Sequence, residues 1–169
     1  SPEEAAMMEA YQKAGTPGMA HAGLAATVGE YNVVIKSWSA PGAPASESTG
    51  TASRKLMLGG RVVSEELQSS MYGQPYTGFG LTGFDNVTGK YWTTWNDSMT
   101  TGLTVGEGEC DAQARCAFTA HWDDPVSKKP VTARIAIRWT SPSVEIFEMH
   151  GPGPDGKEMK MMEMTYTRK

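Results

Sequence analysis

From Glu30 onward the chain never returns to a helical period, and this restricts its fold more than any single motif does. Extended segments follow one another at 30–39, 47–56, 61–71, 76–84, 90–97, 103–110, 116–122, 131–139, 143–150 and 158–168. The connections between them are rich in turn chemistry. They include Pro41-Gly42-Ala43-Pro44, Leu58-Gly59-Gly60, Gly73-Gln74-Pro75, Asp123-Asp124-Pro125, Ser141-Pro142 and the run Gly151 to Gly156. Successive strands joined by short turns favour an antiparallel meander, and about ten twisted strands lose their exposed edges by closing into a barrel. The expected fold is therefore all-β: a single antiparallel meander β-barrel of about ten strands, wide enough to enclose a small ligand. A two-sheet sandwich is the alternative.

The strongest local signal is the stretch from Gln74 to Asp97, two strands joined by Asp85-Asn86-Val87-Thr88-Gly89, where Gly89 supplies a positive φ. A period of two places Tyr91, Thr93, Trp95 and Asp97 on one face of the second strand and Trp92, Thr94 and Asn96 on the other. Both faces carry large aromatic groups. One should be buried and the other at least half covered.

Residues 1–29 read as a helical segment covering one barrel end, ahead of a barrel domain spanning 30–169. Ser1 can cap a helix that has Pro2 at its first position and Glu3 and Glu4 in its first turn; Met7, Met8 and Tyr11 give it an apolar stripe, and Pro17 ends it. A second short helix from Met19 to Thr27 would turn His21 and Leu24 toward the barrel. At 169 residues the chain fits one domain with one core. A net charge of −4 without a Lys/Arg cluster argues against a nucleic-acid partner. No apolar run is long enough for a membrane-spanning helix.

Cys110 and Cys116 are separated by Asp-Ala-Gln-Ala-Arg, a hairpin-length loop that can set the sulfurs on opposed strand positions. A bridge there would imply an oxidising compartment; free thiols would imply a reducing one. Ser1-Pro2-Glu3-Glu4 reads as the start of a processed product, so the expected location is periplasmic or extracellular with the export signal already removed.

The pieces Pro17-Gly18-x-x-His21, Leu58-Gly59-Gly60-Arg61, Gly80-Leu81-Thr82-Gly83-Phe84-Asp85, Tyr91-x-x-x-Trp95-x-Asp97, Asp124-Pro125 and Met162-Glu163-x-x-Tyr166-x-Arg168 resemble the bacterial family catalogued as domain of unknown function 1579. The resemblance runs from about Met7 to Lys169 and transfers no catalytic residues. Phe84 stands where that pattern has Tyr, so no role rests on a hydroxyl there. Gly29-Glu30-Tyr31 and Arg168 also resemble the closed end of calycin-type barrels, the lipocalin and nitrobindin-like proteins, with Tyr in place of Trp. That likeness implies an Arg lying over a phenol ring. Nitrobindin-like barrels can hold haem through a His; His121 and His150 lie on strands here, and no motif fixes either as that ligand.

His21, His121 and His150 lack the spacing of a structural zinc site, and no resident cofactor or metal is expected. Gly78-x-Gly80-x-x-Gly83 has dinucleotide-fingerprint spacing but opens no helix, so its glycines are better explained by strand curvature. Met149, His150, Met159, Met161, Met162 and Met164 crowd one predicted hairpin. A thioether and imidazole cluster could hold Cu(I), whereas strand alternation would split the set, with Met159 and Met161 on one face and Met162 and Met164 on the other. Arg134, Glu148 and Glu163 sit among apolar neighbours, either as solvent-facing partners or as an internal ionic set. In the second case Tyr91, Trp95, Asp97, Arg134 and Glu148 would line a lumen offering an apolar wall, a cation and carboxylates to a small ligand. The functional expectation is non-catalytic binding of a small, partly apolar molecule. An enzyme using Asp97, Glu148 or His150 as acid or base and an interaction domain with a filled barrel are the alternatives.

Overall fold

A computed structural model describes residues 1–169. Two helices, α1 (Pro2–Gly15) and α2 (Met19–Ala25), precede ten strands: β1 (Gly29–Ser37), β2 (Ser46–Met57), β3 (Val62–Met71), β4 (Gln74–Asp85) and β5 (Lys90–Asp97), then β6 (Thr104–Cys110), β7 (Cys116–Asp123), β8 (Pro130–Ser141), β9 (Val144–Pro152) and β10 (Glu158–Arg168). Each strand boundary falls within a residue or two of its place in the sequence reading. Every strand pairs antiparallel with its chain neighbours, and β1 pairs with both β2 and β10, so the sheet is a closed barrel and not a sandwich. Closure leaves no strand edge without hydrogen-bond partners. Gly89 closes the β4–β5 turn at φ 71°.

Burial alternates along β1, where Tyr31, Val33 and Ile35 face inward and are buried. Register then carries this inner face around the barrel: Tyr31 opposes Ala52, Ala52 opposes Leu67, and Leu67 opposes Gly78. The main core comprises Tyr31, Val33, Ile35, Ala52, Leu67, Tyr76, Met164 and Tyr166. A second, smaller core of Phe118, Ala120 and Ile135 occupies the opposite wall, and Phe147 packs against both.

The two helices behave differently. Helix α2 packs on β3, β4 and the 3₁₀ turn Leu58–Gly60, and buries His21. The Gly18 N–H donates to His21 Nδ1 at 3.0 Å, which leaves the proton on Nε2, 3.0 Å from the Phe84 carbonyl oxygen. His21 is thus a hydrogen-bonded structural residue. Helix α1 starts with the expected Ser1 cap, which forms a capping box with Glu4, yet the helix buries no residue. Met7, Met8 and Tyr11 remain exposed. Only its C-terminal end is tied down: Asn86 Nδ2 donates to the Ala14 and Thr16 carbonyls, and Arg61 Nε donates to the Gly15 carbonyl.

Cys110 and Cys116 oppose each other across β6 and β7 and are joined by a disulfide, with Cα atoms 4.0 Å apart. A bridge closing so short a loop should contribute on the order of 2 kcal/mol. Cys110→Ser with Cys116→Ser should lower the melting temperature while leaving the barrel folded. Thiol labelling of freshly isolated, denatured, unreduced protein should find no reactive thiol; two labelled cysteines would overturn the bridge.

Candidate functional site

The inner face of β5 carries Tyr91, Thr93, Trp95 and Asp97, opposite Phe84, Thr82, Gly80 and Gly78 of β4. Of the two faces that the sequence leaves open, this is the one turned inward, with Trp92 outside. A Cβ added to Gly78 would meet the Trp95 benzo ring at 2.0 Å, and one added to Gly80 would meet it at 2.7 Å. The indole lies across both glycines, which are buried beneath it while Trp95 itself is half-buried. On the outer face Trp92 covers Gly83 in the same way. These glycines do not merely bend the strand, since each makes room for a ring.

Trp95 Nε1 donates to the Tyr76 hydroxyl at 3.0 Å, and that hydroxyl donates to Asp97 Oδ2 at 3.0 Å. Asp97 Oδ1 accepts the Met99 N–H at the start of the following loop. Burial and the negative charges of Asp97 and Glu65 push the Tyr76 phenol well above its ordinary value, so it stays protonated and holds both bonds.

Deeper in the barrel lies an ionic set absent from the sequence reading. Arg54 donates through both terminal nitrogens to Glu145, at 3.1 and 2.7 Å, and through Nε to Glu65 at 2.6 Å. Its guanidinium sits between two aromatic rings, 4.8 Å from the Tyr31 centroid and 4.6 Å from that of Tyr166. Tyr166 donates its hydroxyl to Glu65 at 2.9 Å. Burial alone would weaken Arg54 as a base, but Glu65 and Glu145 outweigh it and hold the guanidinium charged. Below this set Arg168 closes the end of the barrel. Its guanidinium lies 5.1 Å from the Tyr31 ring and 5.2 Å from Trp139, and donates to the carbonyls of Ala26, Val28 and Pro142. The arrangement of an Arg over a phenol ring is present.

Arg134 and Glu148 do not join the lumen group. Arg134 is on the outer face of β8 in a bidentate pair with Glu158, its side chain 66% exposed. Glu148 is on the outer face of β9, where Lys160 and Arg138 flank it. The Lys160 ammonium holds the Glu148 carboxyl below its ordinary range. Glu163 also pairs with Lys160. These charges are the solvent-facing partners of an alternating strand; the internal ionic set is a different one, Arg54, Glu65 and Glu145.

The methionines depart from strict alternation. A bulge between Lys160 and Met162 shifts the β10 register, pairing Met162 with Met149 and Met164 with Phe147. The Met161 sulfur lies over Gly151, beside inward-facing Ala133. Met161, Met162 and Met164 therefore share the inner side with Met149, while His150, paired with Arg134, is on the outer face. The mixed thioether and imidazole cluster is therefore not assembled, since the ring lies across the sheet from the sulfurs. His121, exposed on β7 and 3.0 Å from Thr132 Oγ1, is likewise outside.

A closed ten-stranded antiparallel barrel with aromatic rings, thioethers and a buried ionic set on its inner face is the class of protein that fold and site define. The family described as Protein of unknown function (DUF1579) matches residues 16–168, and the chain belongs to it. Among solved structures it is similar to a redesigned β-barrel, with 13% identity over 86% of this chain and 93% of that one and a TM-score of 0.42. No curated protein matches the sequence.

Proposed function

We propose that the barrel binds a small, partly apolar molecule in its lumen without transforming it, in the periplasm or outside the cell. The observation that carries this reading is the state of the inner wall. Tyr91, Trp95, Ile137, Phe147, Met149 and Met162 point toward the barrel axis yet stay only half-buried, whereas Tyr31, Val33 and Leu67 are fully buried. Half-covered rings and thioethers inside a closed sheet are the surface an apolar ligand would take from water. They also count against a filled barrel. The disulfide supports an oxidising compartment.

An acid–base enzyme has less support. Of Asp97, Glu148 and His150 only Asp97 faces inward, and Glu65 and Glu145 are committed to Arg54.

The neutral probe N-phenyl-1-naphthylamine should bind saturably with a rise in fluorescence. Trp95→Ala should weaken it about tenfold, and Trp92→Ala, on the outer face, should leave it unchanged. Absence of saturable binding, or equal losses in the two variants, would overturn lumen binding. Native mass spectrometry of protein from its own host would then identify any retained molecule.

A further inference from the structure

The charges on the inner face are unequal. Glu65, Asp97 and Glu145 face inward against Arg54 alone, a net charge of −2. Arg168 does not redress this, because it lies beyond Tyr31 and Trp139 at the closed end and its donors are taken by three carbonyls. The other cations of the strands surrounding the site, Lys36, Lys55, Lys90, Arg134, Arg138 and Lys160, alternate with inward residues and face out. Resting on the lumen-binding reading, we propose that the ligand is an organic cation whose ammonium group sits on the free face of the Trp95 indole, between Asp97 and Glu65.

Three features converge on that place. Gly78 and Gly80 press one face of the indole against the barrel wall, leaving the other toward the lumen, and the negative face of an indole attracts a cation. Glu65 lies on β3 opposite Gly80, and Asp97 on β5 opposite Gly78, so the two carboxylates flank the ring. Each accepts only two hydrogen bonds, Asp97 from Tyr76 and Met99 and Glu65 from Arg54 and Tyr166. A carboxylate has roughly four lone-pair sites, so both retain acceptors for N–H donors. Phe147 and Met162, which pack on the same cluster as Trp95, would take the hydrocarbon part. An anionic ligand at this place would meet two carboxylates.

The test is calorimetric titration at neutral pH with three probes of one carbon skeleton: 4-phenylbutylamine, 4-phenylbutan-1-ol and 4-phenylbutyrate. The amine should bind at least tenfold more tightly than the alcohol, and the carboxylate most weakly. Asp97→Asn, its fold checked by near-ultraviolet circular dichroism, should reduce amine binding about tenfold and alcohol binding by no more than about twofold, so that the preference for the amine shrinks. The ranking in the unaltered protein decides the matter even where that variant does not fold. Equal or tighter binding of alcohol or carboxylate, weakened in all three probes by Trp95→Ala, would overturn cation selectivity and leave lumen binding intact. If none of the three bound while N-phenyl-1-naphthylamine did, the result would be the same; loss of all four probes would end both readings.

Discussion

Arg54→Ala is expected to lower the unfolding free energy by about 3–5 kcal/mol, among the largest effects of any single substitution in this barrel. The reason lies in what remains. Without the guanidinium, Glu145, whose side chain is 6% exposed, loses both of its charge-assisted bonds, and Glu65 loses one of its two. Tyr31 and Tyr166 lose the cation between their rings, and a void opens beside the main core. A buried carboxylate without a partner must either stay charged in a poor medium or take up a proton, and both are costly. Replacing the whole set behaves differently, because no lone charge is left behind. R54M/E65Q/E145L, in which the introduced amide oxygen can still accept from Tyr166, should be more stable than Arg54→Ala despite three changes. Urea unfolding of the variants provides the comparison. A loss below about 1 kcal/mol for Arg54→Ala would mean that water already reaches this set and that the barrel floor is not dry.

The same set marks the limit of what the sequence makes legible. The ten strands can be read because turn residues interrupt them at short intervals, but β5 leaves its register open, because Trp92 stands on the face opposite Tyr91 and Trp95. Glu65 was within reach: Val63 and Leu67 flank it at two-residue spacing and are buried, so of the adjacent pair Glu65 and Glu66 it is the first that faces in. Glu148 invites the opposite error. Phe147 and Met149 beside it suggest apolar surroundings, but immediate neighbours in a strand lie on the other face, and Glu148 shares its own with Ile146 and His150. By the same period Glu145 faces inward with Phe147 and Met149. Arg54 carries no comparable signal. Ahead of it β2 reads Ser-Glu-Ser-Thr-Gly-Thr-Ala-Ser, with inner positions kept small opposite the side chains of β1 and β3, so nothing in that run shows which face is buried. The β10 bulge is equally silent, since strict alternation would put methionines on both faces and one extra residue leaves no gap in the pattern.

The second large effect concerns the space shared by Gly78 and Trp95. A methyl group at position 78 would stand 2.0 Å from the indole, with further ring atoms at 2.8 Å, and the ring cannot yield without leaving Gly80 and losing its bond to Tyr76. Gly78→Ala should therefore cost about 1–3 kcal/mol through overpacking, although the backbone at 78 has no positive φ that would itself demand glycine. Trp95→Ala should cost about 3–5 kcal/mol by emptying the same place and leaving the Tyr76 hydroxyl without its donor. The two losses should not add, because a ring that has been removed cannot be struck. G78A/W95A is expected to be no less stable than Trp95→Ala alone, since the methyl introduced at position 78 enters the vacated volume, giving a coupling energy of about 1–3 kcal/mol between positions that share one contact. Gly83 supplies the control. On the outer face a methyl there meets Trp92 at 2.4 Å, but Trp92 can swing into solvent, so Gly83→Ala should cost less than Gly78→Ala and should leave probe binding in the lumen unchanged. Additive losses for G78A/W95A in urea unfolding would show that the indole does not rest on the glycines. The cradle proposed for an ammonium group would then lose the surface that holds its ring in place.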